Sequence, residues 1–377
     1  MKQLFTIFAI FLFSSFGFSQ SVVKTLNIGG VQREYKLYVP ASYNGSEKVP
    51  VVFCFHGLGD NMDNFENIGM TYVADTANFI VITPQAAVDP LAGTAWNSGA
   101  GVNFGGFEYF PNSGVDDIGF ITTMIDTTAA NFNIDQRRIY ACGFSMGGYM
   151  TNRLACELNS RIAAFAPVAA TIGAGITCNP GRVLPLVTFH GTSDATVAYD
   201  SASFGSSVPQ LLNFWSLNNG CSTVDSTQLP DIANDGYTIT KFVYGSCSPG
   251  SALEHYKVYG ADHTWLGPND DIFYTTEIWK FFMRFEHPDQ SLGIDYQNES
   301  NFQLFPNPIS NNQTIQLSIP RKQGTIQIMD LNGNLVLTSL LYDGKVEISS
   351  TSLNKGLYLV SFTDRFGNKS IQKLVIE

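Results

Sequence analysis

One short segment constrains the fold of this chain more than any other, the run from Arg138 to Tyr149. It begins as an apolar strand and continues as a helix near Gly147, and the pattern Gly-x-Ser-x-Gly stands between the two. Glycines at these positions permit a sharp strand-to-helix turn that larger side chains would obstruct. We expect the turn to hold the Ser145 hydroxyl above a sheet, beside the free N–H groups at the start of the helix.

Apolar stretches and helix-period stretches alternate on both sides of this turn. Buried strands are predicted at residues 50–55, 79–83, 163–169, 184–190 and 254–259, after an N-terminal hairpin of residues 22–28 and 33–39. Helices are predicted at residues 113–131, at 272–285, and over the stripe of Val208, Leu211, Leu212 and Trp215. Asp116 and Asp117 are expected in the first helical turn, where acidic groups are favourable. The alternation predicts an α/β fold, a mostly parallel sheet with helices on both faces.

The chain ends are interpreted separately from this α/β part, which is assigned to residues 20–286. Residues 1–19 have a positive start, an apolar core and small residues at their end, which is typical of a secretory signal peptide. Residues 287–302 are polar and irregular, as in a linker. Short alternating strands over residues 303–377 predict a small antiparallel β-sandwich, and Asn332-Gly333 is typical of a hairpin turn.

Composition narrows the set of partners. The net charge is −11 and basic residues form no run, which argues against nucleic acid as a partner. No segment after the signal is long and apolar enough to cross a bilayer. The mature protein is therefore predicted to be soluble, exported and monomeric.

Six cysteines in an exported chain suggest disulfide bonds. Two pairs are predicted, one from loop-like sequence and one around a single strand-and-loop unit: Cys221–Cys247 and Cys156–Cys178. The other two cysteines lie in apolar strands and are interpreted as packed thiols: Cys54 and Cys142.

A serine hydroxyl is a weak nucleophile and needs a base that is held by a third group. In α/β folds that carry a Gly-x-Ser-x-Gly turn of this kind, the acid and then the histidine follow the serine along the chain. His263, just past a strand end, is predicted to be the general base and then the general acid. Asp194, in the loop after a buried strand, is predicted to orient His263. Asp200 is the nearest alternative, and Asp225 and Asp231 lie further off.

The oxyanion formed by serine attack needs N–H donors. The backbone N–H of Met146 is one candidate, and that of Leu58 is the second, with Gly59 as the alternative. Trp265, two residues after the proposed base, and Trp96 are predicted to line the substrate pocket. No metal or cofactor is expected for this chemistry.

Several motifs together carry a resemblance to a known family: His56-Gly57, Trp96-Asn97, residues 114–120, residues 138–148, residues 190–194 and His263-Thr264-Trp265. On these motifs, residues 35–285 resemble the secreted polyhydroxybutyrate depolymerase and feruloyl esterase group of α/β-hydrolases, the first carbohydrate esterase family. Two positions depart from the pattern. Asp262 stands where a glycine often precedes the histidine, and Leu266 where proline is frequent.

The resemblance implies a serine esterase that acts through an acyl-enzyme, with a triad carried over to Ser145, Asp194 and His263. It implies feruloyl or acetyl esters of plant polysaccharide, or polyhydroxyalkanoate-type polyester, as substrates, and the sequence does not choose between them. Two alternatives stay open: a secreted α/β-hydrolase peptidase, and a non-catalytic binding protein on the same fold.

The C-terminal part carries a second resemblance, based on Leu304–Pro308, Met329–Gly333, Gly356-Leu357-Tyr358 and Lys373–Ile376. Residues 304–377 resemble the C-terminal sorting domain of the type IX secretion system. This implies a Gram-negative source of the Bacteroidetes type, the type IX machinery as a partner, and a location at the cell surface or outside the cell. A substrate-binding β-module is the alternative.

Overall fold

The computed structural model describes residues 20–104, 106–288, 303–310, 313–318, 324–330, 334–341, 345–364 and 369–377. The predicted signal peptide, most of the predicted linker and the Asn332-Gly333 turn lie outside the described residues. The chain divides into two compact units, residues 1–290 and 291–377, and each is described by itself. The domain boundaries assigned from the sequence stay predictions.

The described strands of the first unit are β1 Ser21–Ile28, β2 Val31–Tyr38, β3 Val49–Phe55, β4 Ile80–Pro84, β5 Ala87–Asp89, β6 Gly93–Ala95, β7 Val102–Phe104, β8 Phe107–Tyr109, β9 Ile134–Phe144, β10 Ala164–Val168, β11 Pro185–Gly191, β12 Thr223–Gln228, β13 Thr238–Gly245 and β14 Ala252–Tyr259. Its helices are α1 Met62–Phe65, α2 Met70–Ala77, α3 Asp117–Asn131, α4 Met146–Glu157, α5 Val208–Asn218 and α6 Tyr274–Phe282. A short 3₁₀ helix covers Glu66–Ile68.

Ten of these strands form one sheet in the order β1-β2-β4-β3-β9-β10-β11-β14-β13-β12. The six central strands, from β4 to β14 in that order, are parallel. Two antiparallel strands extend the sheet at each edge. A parallel centre of this kind needs cover on both faces, and the carboxyl ends of its strands lie along one rim.

Two apolar clusters cover the two faces of the sheet. Alternate residues of β3 join opposite clusters, with Val51, Phe53 and Phe55 in one and Val52 and Cys54 in the other. The first cluster also contains the buried faces of α3, α4 and α5, and the second contains those of α2 and α6. The sheet therefore lies between two helical layers, which confirms the predicted fold class.

The predicted start of α3 at residue 113 is wrong. The helix begins at Asp117, because Asp116 is its N-cap and accepts a hydrogen bond from the Gly119 N–H at 2.7 Å. The predicted helix 272–285 is also shorter, Tyr274–Phe282. Ile272 and Phe285 lie just outside the helix but pack against the same apolar cluster, so periodicity alone extended the helix too far.

Asp117 is not a solvated residue that merely favours the helix dipole. It is fully buried and forms an ion pair with Arg33, 2.7 Å from Arg33 Nη2 to Asp117 Oδ1. Its other oxygen accepts the Asn97 N–H at 2.7 Å. Burial raises the pKa of Asp117, and the charge of Arg33 opposes that rise. The pair thus ties β2, α3 and the Asn97 loop together.

The edge strands β12 and β13 were missed from the sequence, as were the small hairpins β5–β6 and β7–β8. Every residue of β12 is exposed, so no alternation of buried and exposed side chains indicates a strand. Only its hydrogen bonds to β13 place β12 in the sheet.

The second unit contains the predicted short strands and one more: β15 Gln303–Phe305, β16 Thr314–Ser318, β17 Gly324–Met329, β18 Leu335–Leu341, β19 Lys345–Ser349, β20 Gly356–Asp364 and β21 Lys369–Ile376. They form a three-stranded and a four-stranded antiparallel sheet. Side chains from both sheets share one core, for example Ile315, Ile326 and Val360. The predicted antiparallel β-sandwich is confirmed.

Both predicted disulfides are present, Cys156–Cys178 and Cys221–Cys247. Cys54 and Cys142 are buried free thiols on neighbouring strands, with their sulfurs 3.6 Å apart. Within the described part of the chain, no helix combines the length and the apolar character needed to span a membrane.

Candidate active site

The predicted strand-to-helix turn lies between β9 and α4. Ser145 has φ 54° and ψ −122°, a strained conformation for a non-glycine residue that is typical of a catalytic serine turn. The Ser145 N–H donates to Val168 O at 3.0 Å, and its carbonyl accepts the Tyr149 N–H at 3.0 Å. Both neighbouring elements therefore hold the strained residue in place.

The motif glycines are required because backbone atoms pass very close to them. A Cβ at Gly147 would lie 2.0 Å from the Phe55 carbonyl oxygen, and one at Gly143 would lie 2.3 Å from the Gly147 oxygen. The turn packs so tightly against the end of β3 that no side chain fits. This contact sets the height of Ser145 above the sheet.

The two predicted acid–base residues meet at the same rim. His263 Nδ1 lies 2.8 Å from Asp194 Oδ2. The other carboxylate oxygen of Asp194 accepts the N–H groups of Thr196 at 2.9 Å and Val197 at 2.7 Å. Asp194 is therefore locked in its loop with one oxygen directed at the imidazole, so that Nδ1–H donates and Nε2 is left free to accept a proton. Asp200, the alternative acid, is exposed.

Ser145 and His263 line the same cavity. The imidazole also packs against Phe144, the residue before the serine, with ring centres 4.7 Å apart. Among the described residues the Ser145 hydroxyl has no hydrogen-bond partner, so its bond to His263 is not made in this structure. Catalytic hydrogen bonds are often long before substrate binds and shorten in the substrate complex.

A second histidine at this site was missed from the sequence. His190, buried in β11, has its Nε2 2.7 Å from Val197 O and 3.4 Å from Asp194 Oδ2. Burial lowers the pKa of His190, so the ring is neutral and its N–H braces the Asp194 loop. The signal was its place four residues before Asp194, at the end of a buried strand.

Asp262 is the other residue whose role was missed, although it was noted as a departure from the family pattern. Its Oδ1 accepts the N–H of Ala195 at 3.0 Å and that of His263 at 2.8 Å. These hydrogen bonds lower the pKa of Asp262. One exposed carboxylate thus connects the loop of the acid to the loop of the histidine.

The loop after β3 supplies the proposed second oxyanion donor. Gly59 N–H is already bonded to Thr94 O at 2.8 Å, which disfavours it, whereas the Leu58 N–H has no acceptor among the described residues. His56 supports the loop: its Nδ1 lies 2.8 Å from Gly57 O, and its Nε2 accepts the Ala86 N–H at 3.1 Å. Burial lowers the pKa of His56, so the imidazole stays neutral and Nε2 can accept this hydrogen bond.

The cavity at Ser145 has a volume of about 300 Å³ and a mostly apolar lining that includes Leu58, Ala100, Val102, Tyr149, Val197 and Phe204. Burial raises the pKa of Tyr149 to about 12, so its phenol stays neutral. The lining is suited to an uncharged, apolar group of small size.

Neither predicted pocket tryptophan lines this cavity, and both assignments are corrected. Trp96 is fully buried, and its indole N–H donates to His56 O at 2.9 Å, so it supports the loop after β3 from the core. Trp265 donates to Thr275 Oγ1 at 3.1 Å and packs edge-on against Phe65. Aromatic rings near a site are often part of its support rather than its wall.

The covered sheet and the strained serine turn define the class of protein, an α/β-hydrolase. Residues 42–228 match the family model described as Phospholipase/Carboxylesterase. Residues 303–377 match the model described as Secretion system C-terminal sorting domain. The chain is thus an exported protein with a carboxylic ester hydrolase domain, and the alternative of a substrate-binding C-terminal module loses its support.

Similar proteins agree with this assignment. A bifunctional acetylxylan esterase/xylanase of Neocallimastix patriciarum is 27% identical over 67% of this chain, which spans a third (33%) of that relative's length. Feruloyl esterase D of Neurospora crassa is 27% identical over 69% of this chain and 85% of its own length. The solved structure of a ferulic acid esterase from Anaeromyces mucronatus in complex with ferulic acid aligns with a TM-score of 0.46 at 16% identity, over 72% of this chain and 92% of that one. The two sequence relatives confirm the resemblance to feruloyl and acetylxylan esterases.

Proposed function

We propose that the protein is a secreted serine esterase that cleaves feruloyl or acetyl esters of plant polysaccharide. Ser145 attacks the ester carbonyl while His263 takes its proton, and the acyl-enzyme forms as the alcohol leaves with a proton from His263. His263 then activates the water that releases the acid. The observation that carries this proposal is the Asp194–His263 hydrogen bond at the wall of the cavity that Ser145 lines.

The N–H groups of Met146 and Leu58 are proposed to bind the oxyanion of the tetrahedral intermediate. Met146 is the first residue of α4, so its N–H has no partner within the helix. One such donor typically contributes about 3 kcal/mol of transition-state stabilisation. The loop that bears Leu58 contacts the serine turn, since a Cβ at Gly57 would lie 3.4 Å from the Ser145 Cβ.

The substrate class rests on the cavity and on the relatives. Its apolar lining suits a small aromatic or aliphatic acyl group, and the names of the relatives include feruloyl and acetylxylan esterases. An ester panel of methyl ferulate, acetylated xylan and polyhydroxybutyrate film tests the proposal. Hydrolysis of methyl ferulate or of acetylated xylan supports it. Turnover of peptide anilides without any ester turnover would replace it with the peptidase alternative.

A fluorophosphonate probe separates an enzyme from a non-catalytic binding protein. Covalent labelling of the wild type is expected, because the probe reacts only with an activated serine. Loss of labelling in Ser145→Ala would assign the reactive residue. An unlabelled wild type would favour the binding protein.

The type IX secretion machinery is the proposed reader of the sorting domain. Deletion of residues 303–377 is expected to abolish release to the cell surface, while the protein retained by the cell still hydrolyses soluble esters. Normal export of the truncated chain, together with lost binding to insoluble polymer, would contradict this and restore the substrate-binding module.

A further inference from the structure

A second cavity of about 610 Å³ lies in the same unit and has no part in the chemistry described above. Its lining is far more polar than that of the Ser145 cavity. The residues that matter here are Asn97, Glu108, Tyr109, Phe110, Arg153 and Glu157. The mixture of carboxylates, one guanidinium, one amide and two aromatic rings indicates a ligand with many hydroxyl groups.

The second cavity neighbours the first through two shared elements. Along α4, Tyr149 lines the first cavity, and Arg153 and Glu157 follow one and two turns later in the second. Since a helix rises 1.5 Å per residue, Arg153 lies about 12 Å along the axis from Ser145. On the other side, Val102 of β7 lines the first cavity and its β8 partner Tyr109 lines the second. A polymer whose ester lies at Ser145 can therefore reach the second cavity with its more distant part.

Two polar residues of the second cavity, Arg153 and Asn97, are held in place and still have bonding capacity. Arg153 donates through Nε and Nη2 to both oxygens of Glu157, each at 3.0 Å, and through Nη1 to Asn97 O. Two of its five N–H groups remain for a ligand. Asn97 uses both amide hydrogens, on Ser113 O at 3.2 Å and Val115 O at 2.8 Å, which leaves its Oδ1 as an oriented acceptor.

The wall of this cavity is anchored to the protein interior. The Asn97 N–H donates to Asp117, and the buried Arg33–Asp117 pair holds that carboxylate. A preorganised wall lowers the entropic cost of binding. Two carboxylates against one guanidinium disfavour an anionic ligand, whereas fixed donors and acceptors beside aromatic rings suit a neutral sugar, whose ring has polar edges and apolar faces.

We propose that the second cavity is a saccharide subsite that binds the glycan on the alcohol side of the ester, a few sugar rings from the scissile bond. This inference rests on the proposed function. It divides the substrate between two cavities, with the apolar acyl group in the first and the neutral glycan in the second. The second cavity then contributes only when the ester is attached to an oligosaccharide.

Two variants test the proposal without touching the catalytic residues. Thr177→Trp places a large side chain at an exposed lining position, and Glu108→Ala removes an exposed carboxylate that has no partner among the described residues. Matched controls at exposed positions outside both cavities are Thr227→Trp and Glu47→Ala. Each protein is assayed on methyl ferulate and on a feruloylated arabinoxylo-oligosaccharide, with a thermal melt to confirm folding.

The readout is the ratio of kcat/KM for the oligosaccharide ester to kcat/KM for methyl ferulate. We expect this ratio to fall about fivefold or more in Thr177→Trp and in Glu108→Ala, through a higher KM, as the loss of a contact or hydrogen bond requires. Both controls keep the wild-type ratio. A ratio within twofold of wild type in either cavity variant, with both esters cleaved, overturns the subsite and leaves the esterase intact. A wild type that cleaves neither ester overturns the proposed function and the subsite together.

Discussion

The serine turn and the acid–base loops are two halves of one site that are held by different forces. Ser145 is positioned by backbone geometry, through a strained turn and glycines that touch Phe55 O. Asp194 and His263 are positioned by hydrogen bonds between loops that follow β11 and β14. The first arrangement is local in sequence, and the second joins segments almost 70 residues apart.

The loop contacts show how the second half is built. Thr192 N–H donates to Val258 O at 2.9 Å, and Ser193 N–H donates to Ala261 O at 3.0 Å. Asp262 then adds its two hydrogen bonds, to Ala195 and His263. We infer that the serine half tolerates little change in residue size, whereas the acid–base half depends on a set of polar contacts whose loss is graded. Three predictions test this difference, and a fourth extends it to another carboxylate that holds loops together.

The largest expected effect is that of Ser145→Ala. Removal of the hydroxyl eliminates the proposed nucleophile, and kcat is expected to fall by about 10⁶-fold. Because the hydroxyl has no hydrogen-bond partner among the described residues, the melting temperature should stay close to that of wild type. Steady-state kinetics and a thermal melt measure both quantities. Ser201→Ala, at an exposed position, is the control, and equal activity of the two variants would remove Ser145 from the mechanism.

Asp194→Asn is expected to lower kcat by about 10⁴-fold. The amide keeps the size of the carboxylate but can present N–H to His263 Nδ1, which favours the wrong tautomer of the imidazole. The matched control is Asp200→Asn, the alternative acid, for which near-wild-type kcat is expected. A large loss in Asp200→Asn and a small one in Asp194→Asn would exchange the two assignments.

Asp262→Ala is expected to lower kcat/KM by about tenfold, because the histidine loop loses its connection to the acid loop and small misplacements slow catalysis. Asp262→Asn retains one acceptor oxygen and should recover part of the activity. These hydrogen bonds lower the pKa of the Asp262 carboxyl. The carboxylate therefore keeps them at any pH above the ordinary aspartate pKa, and they weaken as the pH falls through the lowered pKa. A pH–rate profile measures this. Equal activity of wild type and both variants would show that the loops hold without Asp262.

The smallest expected effect is on stability, at Asp89, where another carboxylate organises loops. Its oxygens accept the N–H groups of Leu91 and Ala92 at 2.9 and 2.8 Å, and the Tyr109 hydroxyl at 2.7 Å. Burial raises the pKa of Asp89. These bonds, together with one from the Asn112 N–H at 2.8 Å, outweigh that effect and lower the pKa to about 2. Asp89→Asn is expected to lower Tm by roughly 3–6 °C at pH 7.

The pH dependence of this difference follows from the direction of the shift. A folded-state pKa below the unfolded value of about 3.9 gives stability that is complete above that value and is lost as the pH falls toward about 2. Melting curves of wild type and Asp89→Asn should therefore converge between pH 4 and pH 2. A Tm difference that stays constant over that range would mean that the carboxylate charge does not contribute.

The site was predictable from the sequence to the extent that it depends on chain order and local turns. The Gly-x-Ser-x-Gly pattern between a strand and a helix defined the serine turn, and the rule that acid and then histidine follow the serine selected two residues that the structure brings to 2.8 Å. Alternation of apolar strands with helices was enough for the fold class. Both disulfide pairs also followed from their positions along the chain.

Only the tertiary structure decided which side chains face the cavity. From their positions in the sequence, Trp96 and Trp265 could not be told apart from residues that line a pocket. In the structure, Trp96 supports a loop from the core and Trp265 packs behind Phe144. The roles of His190, Asp262 and Asp117 depend on partners from distant segments. The physical reason is that sequence periodicity shows which side of a helix or strand is buried. It does not show which loops from elsewhere in the chain pack against that side, and these loops decide whether a side chain lines the cavity.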